Sequence, residues 1–144
     1  VTLCIQTAAT YRMMGDLETA MSAVLSAVEV ARKYGDRASL TKAIGNQATY
    51  LFERGKIAEA TPLFDEAETL ARELKDNVLL SELLNNRVSV VGHNDARKAM
   101  VLLAEVERLG RESGNMDALS VCLGNQGNAL LQRWRWSSRM CARS

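Results

Sequence analysis

One phrase recurs along this chain, and its spacing constrains the fold more than any other feature. The stretches IGNQATYLF (44–52), LLNNRVSVV (83–91) and LGNQGNALL (123–131) each place amide side chains inside an apolar run. The segment GDLETA (15–20) also matches GKIAEA (55–60) at an offset of 40 residues, and from the next unit onward the offset is 39. Periods of this size indicate stacked helical repeats, in which neighbouring units bury a shared core.

Each unit is predicted to contain two helices, because apolar residues recur at spacings of three and four, as at Val24, Val28 and Ala31. Polar residues in the turns are candidate N-caps, namely Asp36, Asp76 and Asn115. Gly35 and Gly114 lie where a left-handed C-cap is needed. The predicted helices cover about 2–14, 17–34, 37–54, 57–74, 77–91, 95–113 and 116–133.

Small residues at equivalent places predict close helix crossings, where a larger side chain would not fit. They are Ala8, Ala20, Ala48, Ala60, Ala99 and Gly127. Met13 and Met14 are interpreted as the end of a buried face. Asp65, Glu66 and Glu68 are interpreted as solvated acids on an outer face, and Pro62 is expected to remove one hydrogen bond or bend the start of its helix.

Composition excludes several classes of protein. Hydrophobic residues make up 47% and charged residues 24%, as in globular domains, and the net charge of +1 is too low for general nucleic-acid attraction. No apolar run is long enough to cross a membrane, and the first ten residues lack the basic start of a signal peptide. Three widely spaced cysteines without a CxxC motif argue against disulfides and zinc, so a cytoplasmic location is expected.

The repeated residues resemble the tetratricopeptide repeat family. The pattern is a small residue, then an aromatic residue or Leu, then Gly, then Ala: Ala8, Tyr11, Gly15-Asp16 and Ala20 in the first unit, and Ala48, Leu51, Gly55 and Ala60 in the second. Units of 39–40 residues with an Asn in the first helix are similar to the long version in kinesin light chains and in sensor arrays of signalling ATPases. In the third unit, Val88 and Asn94-Asp95 depart from the pattern.

The resemblance implies an all-α fold, a right-handed α-solenoid of antiparallel helix pairs with about seven helices. The repeat domain is placed at residues 1–133, with units at about 1–36, 37–76, 77–115 and a partial unit at 116–133. Residues 134–144 are a basic, Trp-containing tail or a degenerate capping helix. The chain begins with Val and ends within a repeat, which predicts a piece of a larger protein.

The resemblance also implies that the first helix of each pair lines a concave groove, where Asn side chains hold the backbone of a peptide. It assigns this role to Asn46, Asn86 and Asn125, with Gln6 at the same position in the first unit. An amide suits the role because it both donates and accepts hydrogen bonds. Further groove residues are predicted beside them: Lys42, Thr49, Glu53, Glu82, Asn85, Ser89 and Asn128.

The sequence leaves alternatives open for the role of the Asn residues and for the function of the chain. The Asn residues, with Gln47 and Gln126, can instead bond to a neighbouring helix and only fix the packing of the repeats. The predicted function is binding of a protein or peptide partner, without cofactor, metal or small-molecule substrate. The rivals are a structural or oligomerisation spacer and a nucleic-acid-binding tail. No nucleophile–base pair, phosphate loop or dinucleotide motif is present, so catalysis is not expected.

Two local features are interpreted as structural rather than functional. His93, the one histidine, is expected to be a solvated turn residue, since a single histidine without partners does not make a metal site. The tail carries Arg133, Arg135, Trp134 and Trp136, a composition that can bind RNA, single-stranded DNA or an anionic membrane. A closing helix is the preferred interpretation of this tail, and self-association through the C-terminal end is a further prediction.

Overall fold

The computed structural model describes residues 1–92, 95–117 and 119–127, and helices dominate these ranges. Six helices are α1 (Thr2–Met13), α2 (Leu17–Tyr34), α3 (Arg37–Glu53), α4 (Ile57–Leu74), α5 (Asn77–Gly92) and α6 (Ala96–Ser113). Residues 116–117 and 119–127 are also helical and form a seventh helical segment. The described residues contain no strand.

The helices pack as the repeat pattern predicts, in pairs α1–α2, α3–α4 and α5–α6 that stack one on the next. Connections of two or three residues make consecutive helices antiparallel. The all-α solenoid is therefore confirmed, and the predicted ends of the first six helices are correct to within one residue. The end predicted for the seventh helix, residue 133, lies outside the described residues.

N-terminal capping by side chains explains why the first residues of the helices could be predicted from the sequence. The carboxylates of Asp16, Asp36, Asp76 and Asp95 each accept a backbone N–H from the first turn of the following helix, at 2.9–3.1 Å. These bonds satisfy donors that a helix start leaves without a partner. The N-cap residues of α1 and α4, Val1 and Lys56, make no side-chain cap.

The turns that lead from one unit to the next share a left-handed residue. Gly35 and Gly114 have φ values of 69° and 68°, as the sequence predicts. Lys75 takes the same place between α4 and α5 with φ of 55°. A left-handed conformation strains a residue that carries a Cβ atom, so this turn is held by the packing of α4 and α5 rather than by its own preference.

The core lies between the paired helices and between successive units. Ala8, Ala20, Ala48 and Ala60 are fully buried, and Ala99 is nearly so. Small side chains at these places allow the helices of a pair to cross closely, which confirms the prediction for the five alanines. Gly127, the sixth residue in that set, is exposed.

First helices approach one another more closely than second helices do. The backbone of α1 neighbours that of α3, and α3 neighbours α5. Among the described helices, α2, α4 and α6 show no such approach. Ion pairs between long side chains bridge them instead: Arg32–Glu66 at 3.9 Å and Arg72–Glu105 at 2.9 Å. The first helices therefore lie on the inner, shorter side of the array.

One prediction about exposure was wrong. Met13 and Met14 do not end a buried face, because they are 85% and 74% exposed. Their counterparts one unit later are Glu53 and Arg54, which form ion pairs at the surface with residues of the preceding unit. The pattern of apolar residues alone does not reveal that this position faces solvent.

The outer acids of α4 are paired rather than simply solvated. Asp65 and Glu68 both contact Arg87 of α5 at 2.6 Å, and Glu68 also binds Arg72 at 2.9 Å. Glu66 contacts Arg32 of the preceding unit. His93 and the tail at 134–144 lie outside the described residues. No helix in the described ranges has the length and apolar character needed to cross a bilayer.

Candidate functional site

The first helices α1, α3 and α5 together form a groove of about 370 Å³ on the inner side of the array, called here the inner groove. Each helix contributes side chains from the face that carries its amide residue. The lining residues are Thr2, Ile5, Gln6, Ser39, Lys42, Gly45, Asn46, Leu79, Glu82, Leu83 and Asn86. Five residues predicted for a groove are therefore brought together: Gln6, Lys42, Asn46, Glu82 and Asn86.

An amide from each of the three helices lies along the inner groove. Gln6, Asn46 and Asn86 are 40 residues apart, so each repeats the position of the one before it. Asn46 is half-buried, whereas Gln6 and Asn86 are exposed. Within the described ranges, none of these three side chains hydrogen-bonds to another residue. Their donors and acceptors are thus directed to solvent or to a ligand.

Gln126 shows what an amide that serves packing looks like in this fold. Its side-chain nitrogen donates to Glu107 of α6 at 3.4 Å and approaches the sulfur of Cys122 at 3.7 Å. This contact ties the seventh helical segment to α6, as the packing interpretation anticipated for that residue. The three amides of the inner groove make no such contact within the described ranges.

The only two charged residues in the lining set face each other. Lys42 of α3 and Glu82 of α5 form an ion pair with an N–O distance of 3.6 Å, and their side chains are 53% and 46% exposed. Each precedes its Asn by four residues and so lies one turn away on the same helix face. The pair spans the groove between two successive units and leaves its lining with no net charge.

A glycine sets the separation of α3 and α5. A Cβ atom at Gly45 would lie within 3.0 Å of the Cδ2 atom of Leu83, closer than real Cβ atoms approach their neighbours. Leu83 is 5% exposed and, with Ile5 and Leu79, supplies the apolar part of the lining. The glycine of the repeated phrase therefore lets Leu83 pack directly against the backbone of α3.

The other described residues that were predicted for the groove do not belong to this lining set. Thr49 is half-buried and donates its hydroxyl to the Gly45 carbonyl at 3.0 Å, and Ser89 is exposed on α5 without lining the groove. Asn85, which occupies the position of Gly45 one unit later, is only 7% exposed. Asn125 is half-buried on the seventh helical segment. Asn128 lies outside the described residues.

Glu53 also has a different setting from the one expected. Its carboxylate pairs with Arg12 of α1 at 2.8 Å, and Arg12 in turn lies 6.0 Å from the centre of the Tyr50 ring. Burial raises the pKa of Tyr50, and the charge of Arg12 partly opposes this. This cluster joins the first two units near the end of α3 and does not line the inner groove.

Several lining residues were not predicted from the sequence: Thr2, Ile5, Ser39, Leu79 and Leu83. A signal for some of them was present. Thr2 precedes its amide by four residues, and Ser39 and Leu79 precede theirs by seven, which places them on the same helix face. Thr2, Ser39 and Leu79 therefore lie one or two helical turns before the amide, on the face that lines the groove.

A smaller hollow of about 220 Å³ continues the groove toward the start of α5. It shares five residues with the inner groove, namely Thr2, Ser39, Lys42, Leu79 and Glu82, and adds the carboxylate of Asp76. That carboxylate already accepts the N–H of Leu79 at 2.9 Å. The positive end of the α5 dipole further offsets its charge.

The described residues offer little for catalysis. Cys122 is fully buried, and its sulfur lies 3.2 Å from the Leu103 carbonyl. Burial, and then the charge of Glu107, raises the pKa of this thiol, which disfavours the nucleophilic thiolate. No cluster of metal-binding side chains occurs in the part of the chain that the structure describes.

Comparison with known families places the chain among helical repeats. A family model described as "Anaphase-promoting complex subunit 5" matches residues 2–54 and again residues 43–92. Together the two matches span more than half of the 144 residues. This is a family of helical, tetratricopeptide-like repeats, which confirms the broader part of the resemblance. The first match contains α1 and α3, and the second contains α5. A comparison with curated proteins finds no match.

Proposed function

Since the chain belongs to the family described as anaphase-promoting complex subunit 5, we propose that it is a protein-interaction module whose inner groove holds a peptide or helix of a partner protein. The name of the family is that of a subunit, and a subunit acts by contacting other proteins. The observation that carries the proposal is the row of three amides, Gln6, Asn46 and Asn86, which have no intramolecular partner in the described ranges.

The amide row suits a peptide backbone for a physical reason. Each amide offers two donors and an acceptor, and an extended peptide presents backbone N–H and C=O groups at regular intervals. First helices that pack about 8–10 Å apart space the amides so that they meet a peptide every two or three residues. A rigid array also lowers the ordering cost of binding, because its side chains stand on packed helices.

Finer assignments belong to the same proposal. The 39–40-residue units support the long, kinesin-light-chain-like subtype of the tetratricopeptide repeat, within a larger signalling or regulatory protein. Cys4 and Cys122 are free thiols, which supports a reducing, cytoplasmic location. A binding role without catalysis fits the raised pKa of the buried thiol and the solvent-facing amides of the groove.

The test compares a groove variant with a matched variant of the same residue type. The triple variant Gln6→Leu/Asn46→Leu/Asn86→Leu removes the amide row, and Gln47→Leu changes the neighbouring amide of the same phrase, which does not line the inner groove. Peptides selected on the wild-type chain from a phage-displayed random library serve as probes. Three lost hydrogen bonds, at about 1 kcal/mol each, correspond to roughly a hundredfold weaker binding by the triple variant.

The control variant also has a defined expected result. Gln47→Leu should bind the selected peptides as the wild type does, and circular dichroism should show equal helicity for all three proteins. If the triple variant keeps wild-type affinity, the amides do not hold the ligand and the proposal is wrong.

A second candidate function is end-to-end association, and one observation favours it. Leu3 is 75% exposed, whereas Ala43, Leu83 and Cys122 at the equivalent positions of later units are 0–5% exposed against the unit before them. An exposed apolar residue at such a position can pack against a second copy of the chain. Sedimentation at several concentrations tests it: a dimer that Leu3→Glu abolishes supports this role, and a monomer at all concentrations excludes it.

A further inference from the structure

We propose that the inner groove selects a peptide segment without charged side chains where that segment crosses the Lys42–Glu82 ion pair. This inference rests on the proposed function, because it names the class of ligand that the same groove takes. The ligand is a neutral, extended segment whose backbone meets the amide row and whose small or apolar side chains face Ile5, Leu79 and Leu83.

The charges of the lining residues carry the inference. Lys42 and Glu82 are the charged members of the inner-groove lining, and their charged atoms are 3.6 Å apart. A charged ligand side chain near this pair meets an attraction and a repulsion of similar strength. Beyond a few ångströms the pair acts as a dipole, whose field is far weaker than that of a single charge. The groove therefore gives a charged side chain little to replace the water it loses.

The position of the Lys42–Glu82 ion pair, rather than its strength, links it to the choice of ligand. Both side chains are about half exposed, and pairs of this kind add little to stability. This pair bridges α3 and α5 one turn from Asn46 and Asn86, and that position is the informative feature. A peptide held by the two amides must pass beside both charges. The pair thus acts on the choice of ligand more than on the fold.

Asp76 adds a negative charge beside the ion pair, in the adjoining hollow that Lys42 and Glu82 also line. It lies in the adjoining hollow, where its carboxylate caps α5 by accepting the Leu79 N–H at 2.9 Å. The positive end of the helix offsets part of this charge. A ligand in the inner groove therefore meets the field of Lys42 and Glu82 first.

The apolar residues of the lining determine which uncharged side chains of a peptide the groove accepts. Leu83 is packed against α3 beside Gly45 and is 5% exposed, so it offers a shallow surface rather than a deep pocket. Leu79 is likewise 5% exposed, and Ile5 is half-buried. Such a surface accommodates small or medium apolar side chains of an extended segment. Affinity then comes from backbone hydrogen bonds and modest apolar burial, neither of which depends strongly on salt.

The experiment uses the whole chain and a phage-displayed library of random peptides of about 12 residues, twice the 5 or 6 extended residues that span three first helices. Selections are run on the wild type, Lys42→Glu, Glu82→Lys and the exchanged variant Lys42→Glu/Glu82→Lys. The wild type should enrich peptides whose shared core carries no charge. Glu82→Lys should enrich acidic cores, and Lys42→Glu should enrich basic cores.

The exchanged variant is the matched control, because it restores a neutral pair while changing both residues. It should return to uncharged cores. Salt gives an independent measurement: the affinity of the wild type for its peptide should change less than about twofold between roughly 0.05 M and 0.5 M NaCl, whereas the acidic peptide on Glu82→Lys should weaken about fivefold to tenfold.

The possible results separate the inference from the proposed function. Charged cores selected by the wild type, or by the exchanged variant, overturn the inference even when binding depends on the amide row. Peptides that bind the Gln6→Leu/Asn46→Leu/Asn86→Leu variant equally well overturn the proposed function, and the inference falls with it. Failure of the wild type to enrich any peptide has the same consequence for both.

Discussion

Replacing Gly45 by alanine should destabilise the chain, although alanine favours helices. The added Cβ atom would lie within 3.0 Å of the Cδ2 atom of Leu83, where about 3.5–4.0 Å is the usual separation. Leu83 is 5% exposed and belongs to the buried core cluster, so a shift of its Cδ2 atom disturbs the residues packed around it. Overpacking of this kind costs about 1–3 kcal/mol, and the higher helix propensity of alanine returns up to about 1 kcal/mol.

The net effect of Gly45→Ala is therefore a loss of about 1 kcal/mol, or about 3 °C in Tm for a chain of this size. Gly124→Ala is the matched control, because it changes the same residue of the same phrase. A Cβ atom at Gly124 meets none of the described residues within 4 Å. Helix propensity alone should then raise stability by about 0.5–1 kcal/mol.

Urea unfolding followed by circular dichroism measures both variants. The opposite signs are the essential expectation, since propensity scales alone predict that both changes stabilise. Combining Gly45→Ala with Leu83→Ala should cost less than the sum of the two single changes, because the second substitution removes the clash. Equal stabilisation by Gly45→Ala and Gly124→Ala would refute the close approach of α3 and α5.

Three further changes test other parts of the structure. Lys75→Gly should raise the urea midpoint, by about 1 kcal/mol of stability at most, since it relieves a left-handed residue with φ of 55°; an unchanged or lower midpoint would contradict that turn. Hydrogen bonds from the side chain and then the backbone of Ser39 lower the pKa of Asp36 below 3.8. Its charged form therefore stabilises the fold above about pH 4, and this contribution is lost as the pH falls through the folded pKa. Urea midpoints from about pH 5 to about pH 2 should accordingly fall further for wild type than for Asp36→Asn, which keeps a cap but does not titrate; parallel curves would refute this. Iodoacetamide should label the half-buried Cys4 before the buried Cys122, as resolved by peptide mass spectrometry, and equal rates would contradict the packing of Cys122 against Leu103.

The amino-acid sequence by itself determined the helical repeat and the register of its units. Helix bounds depend on local features, namely the apolar period, the Asp caps and the glycine turns, so they were readable without tertiary contacts. The same register placed Gln6, Asn46 and Asn86 at one equivalent position, and the structure brings all three to the inner groove. The face of a helix follows from spacing alone.

Tertiary structure decided how equivalent positions differ. Gly45 and Gly124 belong to the same phrase, yet only Gly45 contacts a leucine of another first helix. Asn85 follows the same pattern as Gly45 and is buried, whereas its neighbour Asn86 is exposed. The pairing of Lys42 with Glu82 joins residues 40 positions apart. Such distances depend on how far one helix pair is rotated and displaced against the next, and no local sequence pattern encodes that geometry.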